Sequence, residues 1–253
     1  MKIDLNADLG EGFGPYFLTD DEGLLEVVTS ANIACGMHAG DPVTMVRTCR
    51  TAGEKGVVIG AHPGYADIIG FGRRAIPMSP SEIEALVAVQ IGALQAAAGL
   101  SGNKVRYVKP HGALYSLSER DEAVAQAICR AVRACGEDLL VMTSPVSVLL
   151  EQAPAFGLSA ISEGFADRRY EKDGSLAARS KPGAVIEDVD EIAEQALRLA
   201  TGRGVVTGDG TVVRLAVQTI CLHGDGPSAM EAARRVRARF EQEGITISAF
   251  AKG

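Results

Sequence analysis

The 253-residue sequence predicts an α/β fold, and within that class a (β/α) barrel of about seven mostly parallel strands. Three observations carry the prediction. Seven short apolar runs occur along the chain, and most lack strict alternation, so both faces are to be buried, as in parallel sheets. Amphipathic stripes of period 3.6, each closed by a glycine, alternate with those runs through most of the chain. Polar side chains stand at the C-terminal ends of runs drawn from both ends of the chain, which favours a sheet closed on itself over an open, doubly wound one.

The elements follow in order. The first run, KIDLN at 2–6, leads to Asp8, and alternation puts Asp4, Asn6 and Asp8 on one side, the barrel interior and its mouth. The second run is VVTSANIAC at 27–35. Asp41-Pro42 then opens a helix as N-cap and N1, with Met45, Val46, Cys49 and Ala52 on one face and Gly56 after the end. GVVIGAH at 56–62 is the third strand. Ser79-Pro80-Ser81-Glu82 is a capping box with proline at N1, leading into Ile83, Val87, Ile91 and Leu94 before Gly99. VRYVKP at 105–110 must stop pairing at Pro110, which has no N–H for a ladder. A third helix carries Val124, Ile128, Val132 and Cys135 and ends at Gly136. DLLVMT at 138–143 and LSAISEG at 158–164 are the next strands, and a fourth helix runs through Ile192, Ala196 and Leu199 to Gly202. Residues 203–215 break the rhythm and read as a hairpin insert around Asp209-Gly210. AVQTICLH at 216–223 is the last strand, and a last helix carries Ala229, Ala233, Val236 and Phe240. No composition shift or repeat divides the chain, so 1–253 reads as one barrel domain.

Composition excludes several function classes. Apolar residues make up 47% and charged residues 23%, the balance of a soluble globular protein. No apolar run reaches bilayer length, and the N-terminus meets acids before any signal-peptide core. A net charge of −7 without a basic block argues against nucleic acid as the main partner. The five cysteines form no CxxC pair and lie mostly in apolar segments, which reads as reduced, buried thiols in a cytoplasmic protein.

The chemistry gathers at strand ends. All four histidines, His38, His62, His111 and His223, lie at or just past the C-terminal end of an apolar run, where parallel α/β folds hold their active sites. Lys109 joins them from VKPH, and Asp8 and Glu11 from the first strand. The sixth strand runs into Glu163, Asp167 and Arg168, and the last into His223-Gly224-Asp225. Asp8, His38, His62, Lys109 and His111 are the candidate catalytic residues. Asn6, Glu11, Asp67, Arg73, Glu163, Asp167, Arg168, His223 and Asp225 are candidates for binding substrate or phosphate. Carboxylates among histidines suit a metal ion, and equally a metal-free acid/base site with Lys109 as electrophile. The HExxH spacing is absent, so the identity of any metal stays open. Gly10-Glu11-Gly12-Phe13-Gly14 is a loop of the kind that wraps an anion in backbone N–H groups. Gly70-Phe71-Gly72-Arg73-Arg74 adds two guanidiniums suited to carboxylate or phosphate, and no Walker GxxxxGK[ST] exists in the chain.

Six segments, DLNADLGEGFG, SANIACGMHAGDP, IGAHPGYADIIGFGRR, VKPHGALY, EGFADRRYEKDGSLAAR and TICLHGDGP, are ordered along nearly the whole chain. On them the sequence resembles the LamB/YcsF family, whose members act as the A component of a bacterial 5-oxoprolinase. It departs from the family pattern at Ala7, Met37 and Ser116, where Cys, Phe and Asn are usual. None of these removes a candidate group. The resemblance implies a seven-stranded (β/α) barrel akin to glycoside hydrolases and deacetylases. It implies opening of 5-oxo-L-proline to L-glutamate with ATP, accompanied by Mg, as co-substrate, and two partners, subunits B and C. Two other readings fit the same residues: a stand-alone metal-dependent deacetylase or amidohydrolase, and a non-catalytic ligand-binding regulatory protein.

Overall fold

The computed structural model describes residues 1–223 and 228–251. Among these residues ten strands alternate with eight helices. The strands are β1 (Lys2–Leu9), β2 (Ser30–Ala34), β3 (Val58–His62), β4 (Val105–Val108), β5 (Leu140–Thr143), β6 (Ala160–Phe165), β7 (Val205–Val206), β8 (Val212–Val213), β9 (Thr219–Leu222) and β10 (Thr246–Ile247). The helices are α1 (Asp21–Leu25), α2 (Pro42–Glu54), α3 (Pro80–Gly99), α4 (Gly112–Ser118), α5 (Glu122–Cys135), α6 (Val148–Gln152), α7 (Val189–Ala200) and α8 (Ala229–Gln242). Seven strands, β1 to β6 and β9, pair side by side in parallel, and β9 also pairs with β1, which closes the barrel. Where β1 begins, β10 adds a short parallel pairing, Lys2 with Thr246 and Ile3 with Ile247.

The predicted runs fall on the seven barrel strands. The capping box at Ser79 and Glu82 forms, and Asp41 caps α2 through Val43 and Thr44 N–H. The hairpin insert forms as antiparallel β7 and β8. The short α1, α4 and α6 and the two-residue β10 carry too few periodic positions to register as patterns in the sequence.

Closure separates two environments. Along β1, Ile3, Leu5, Ala7 and Leu9 join the large apolar core, while Asp4, Asn6 and Asp8 alternate with them. The polar side chains fill the barrel in layers. At its base Val58, Tyr107, Met142 and Ile161 form a separate small cluster, against which Ala249, Phe250 and Ala251 pack. The Tyr107 and Phe250 rings meet at 5.2 Å. Above it Asp4 accepts from the hydroxyls of Thr29, Ser30 and Thr219, and Asn6 bridges Asn32 and Thr219. All five cysteines are unpaired, and four of them are buried. No helix among the described residues is long and apolar enough to cross a membrane.

Candidate active site at the barrel mouth

The top interior layer is ionic. Lys109 follows β4, and its N–H bonds Ala61 O at 2.9 Å, so pairing with the β3 chain continues past the strand end and aims the side chain inward. Its ammonium lies 3.2 Å from Asp8 Oδ1, 3.0 Å from Glu163 Oε2 and 3.1 Å from Cys221 Sγ, and it is 2% exposed. Burial works against the charge on Lys109, and the Asp8 and Glu163 carboxylates outweigh it, holding its pKa well above the usual lysine range. Burial likewise opposes ionisation of Asp8, but His62 and Lys109 overcome it and hold that carboxyl well below the usual range. Glu163 is raised, because burial outweighs its contact with Lys109. An ammonium with all three protons committed holds carboxylates in place better than it polarises a substrate. The structure places the Lys109 ammonium, expected as an electrophile, between Asp8 and Glu163.

Next to it the histidines form a network whose protons the carbonyls dictate. His62 Nδ1 lies 2.8 Å from Lys109 O, and His111 Nε2 lies 2.8 Å from Phe71 O. A carbonyl only accepts, so both of these nitrogens carry hydrogen. The remaining nitrogens, His62 Nε2 and His111 Nδ1, face each other at 2.9 Å, and Asp8 Oδ2 is 3.3 Å from the former. Phe71 supplies its carbonyl from a left-handed backbone, φ 54°, which a non-glycine residue adopts only at a cost. His38 stacks on His111 with centroids 3.8 Å apart, and burial, followed by His62, pushes its pKa down to about 3.

The fourth histidine stands apart. The backbone N–H of His223 donates to Asp167 Oδ2, and its Nδ1 lies 2.8 Å from the same carboxylate. A carboxylate pins hydrogen on Nδ1 and leaves Nε2 as an acceptor, 4.0 Å from Asp8 Oδ2. Burial works against the charge on Asp167, and His223 outweighs it, so that carboxyl stays below its usual range.

These groups open onto a cavity of about 820 Å³. Asp8, His62, Lys109, His111 and His223 line it, and Arg73, Arg168 and Arg179 line it as well. Burial, with Arg179 beside it, lowers Arg168 to about 10, and its Nη2 donates to Ala177 O at 2.6 Å. Arg73 lies over the Phe71 ring, 4.9 Å from the centroid. With Arg120, which also lines the cavity, four arginines surround one space, an arrangement that suits a carboxylate or phosphate.

Three of the candidate binding residues, Asn6, Glu11 and Asp67, do not line the cavity. Asn6 sits below the cavity, its amide spent on Asn32 and Thr219. Asp67 is bound by Arg74, whose Nε lies 2.9 Å from Oδ2, and by Gly70 N–H, contacts that fix its own loop. In the loop at 10–14, Gly10 N–H donates to the Asp21 carboxylate, Gly14 N–H to that of Asp41, and Phe13 N–H to Tyr16 O. Glu11 turns inward, 3.9 Å from His38. Asp225 lies outside the described residues. Polar residues on the cavity wall that were not foreseen include Tyr115, Glu119, Arg120 and Arg179. His111, Tyr115 and Glu119 are four apart along α4 and its cap, a helical stripe that would have marked them. Burial raises Glu119 to about 7. Two sets of side chains offer metal-ligating atoms close together: Glu11, His38, His62 and His111, and separately Asp8, Cys221 and His223.

The family model for LamB/YcsF matches residues 3–253. The chain belongs to the LamB/YcsF family. The A component of 5-oxoprolinase from Rhodopseudomonas palustris is 50% identical over 252 residues, 99% of both chains. Its counterpart from Streptomyces avermitilis is 51% identical over 249 residues, covering 98% of this chain and all of that one. Among solved structures, the lactam utilization protein of Thermus thermophilus superposes with a TM-score of 0.93 at 43% identity, covering 99% of this chain and 100% of that one. A peptidoglycan N-acetylglucosamine deacetylase superposes at 0.52 with 10% identity over 98% of this chain and 86% of its own, a likeness of fold alone. The LamB/YcsF barrel is therefore seven-stranded and closed, as the sequence predicts, with a deacetylase among its structural neighbours.

Proposed function

We propose that this LamB/YcsF chain is the A component of an ATP-dependent, cytoplasmic 5-oxoprolinase. With subunits B and C it opens 5-oxo-L-proline to L-glutamate as ATP, carried with Mg, becomes ADP and phosphate. Full-length relatives at about half identity bear that name. The observation that carries the chemistry is the pairing of an acid/base floor with a wall of four arginines, Arg73, Arg120, Arg168 and Arg179, in one cavity.

A five-membered lactam holds its amine next to its acyl carbon, so reclosure is favoured by a large effective molarity. Coupling to ATP offsets this by making the ring carbonyl a better electrophile. The arginine wall fits the carboxylate of 5-oxoproline and a phosphoryl group on its carbonyl oxygen. His223, held by Asp167, is the base that deprotonates water. Glu119, kept protonated to about pH 7 by burial, is the acid for the ring nitrogen.

The test is 5-oxoproline-dependent phosphate release by this chain alone and with subunits B and C. Activity is expected only in the assembled system. Robust turnover by the isolated chain would contradict the reading. Substrate carrying heavy oxygen at the ring carbonyl distinguishes the chemistry further. In phosphoryl activation one water adds to the phosphorylated carbon and the ring nitrogen leaves, giving an acyl phosphate. A second water attacks its acyl carbon and breaks the carbon–oxygen bond, which sends the label to inorganic phosphate, whereas ATP used only to change conformation leaves it in glutamate.

A further inference from the structure

We propose that Glu11, His38, His62 and His111 form a binding site for a divalent transition-metal ion beside the mouth cavity. Each presents a ligand atom within 4.8 Å of the others, and all four side chains are buried. Two of the histidines already have the outer contacts that metal-bound imidazoles have. His62 donates Nδ1–H to Lys109 O, and His111 donates Nε2–H to Phe71 O, which fixes tautomer and ring orientation. The nitrogens left over point at each other across 2.9 Å. As neutral rings they set lone pair against lone pair, with Asp8 Oδ2 3.3 Å from His62 Nε2 besides, so a cation, whether proton or metal, belongs among these atoms. A shared proton satisfies those two rings but does nothing for the third. His38 is fully buried, and neither of its ring nitrogens has a hydrogen-bond partner. A metal ion engages all three rings and the Glu11 carboxylate at once.

The surrounding backbone is shaped for the rings. A Cβ on Gly72 would come within 2.8 Å of His38 Cβ and 2.9 Å of His111 Cδ2, and one on Gly64 within 2.8 Å of His38 Nδ1. Three imidazoles and one carboxylate are the donor set of zinc. The second cluster, Asp8, Cys221 and His223, is less suitable. The Lys109 ammonium sits 3.2 Å from Asp8 Oδ1 and 3.1 Å from Cys221 Sγ, where it would repel an ion.

The test uses the full chain, stripped with chelator and checked by circular dichroism. Titration with Zn²⁺ alone is expected to show one equivalent bound, with a raised melting temperature. Co²⁺ is expected to give a tetrahedral visible spectrum without a thiolate charge-transfer band. His38→Ala should weaken Zn²⁺ binding by more than about 100-fold, beyond the loss of an outer contact. Should that variant not fold, Glu11→Gln gives the same measurement. Folded, stripped protein that binds no Zn²⁺ would overturn the proposal and leave the shared proton. Binding that survives His38→Ala and Glu11→Gln but is lost in Cys221→Ser would overturn it in favour of the second cluster.

Discussion

At the scale of single residues, His223 and Asp4 make opposite demands. In the proposed reaction His223 accepts a proton, and Asp167, hydrogen-bonded to its Nδ1, keeps its tautomer fixed. Replacing His223 by Asn is expected to cut oxoproline-dependent turnover of the complex by about 10² or more, and Asp167→Asn to lower it as well by releasing the ring. Near-parental rates in both would remove this pair from the chemistry. Asp4 does no chemistry but is expensive. Burial raises its pKa from 3.8 to about 7, against three hydroxyl donors. A raised acid binds more protons folded than unfolded, so stability falls as pH climbs from about 4 to about 7 and stays lowered above that. Asp4→Asn should therefore match the parent near pH 4 and exceed it at pH 8, by on the order of 2–4 kcal/mol. Urea melts at the two pH values check this; a variant less stable at pH 8 would refute it. The sequence placed Asp4 on the inward side by alternation alone. Its hydroxyl partners were not legible there, because side chains from β2 and β9 meet it only once the barrel has closed.

At the scale of elements, the strand ends were legible and the loops were not. Apolar runs ending in His, Lys or Asp marked one face of the barrel without any long-range information. The partners of Asp67, and of the 10–14 loop N–H groups, depend on where loops fold back, and local pattern carries no trace of that. The fit between β3 and β4 shows the same dependence. A Cβ on Gly60 would lie 2.2 Å from two ring atoms of Tyr107, so the neighbouring strand's side chain occupies that space. Gly60→Ala is expected to destabilise the chain by about 1–3 kcal/mol through overpacking. Combined with Tyr107→Leu it should cost less than the sum of the two changes. Additive losses in denaturant melts would show that the two positions do not compete.

At the scale of the whole molecule, closure joins distant parts of the chain. Asp4 pairs with Thr219 and Ala7 with Leu222 across the β1–β9 seam, and β10 adds to the edge of β1. A polymer made vectorially thus meets a timing problem. β1 leaves the ribosome early, yet one of its edges has no partner until some two hundred residues later, and loop closure over that span is slow. In the interval an open curl of strands shows its backbone edge and a half-built ionic interior to solvent. Stalled chains released before β9 is made are expected to be protease-sensitive and to recruit chaperones, whereas chains stalled after β10 has emerged should resist. Equal protection in both would mean that the early strands hold together without the seam.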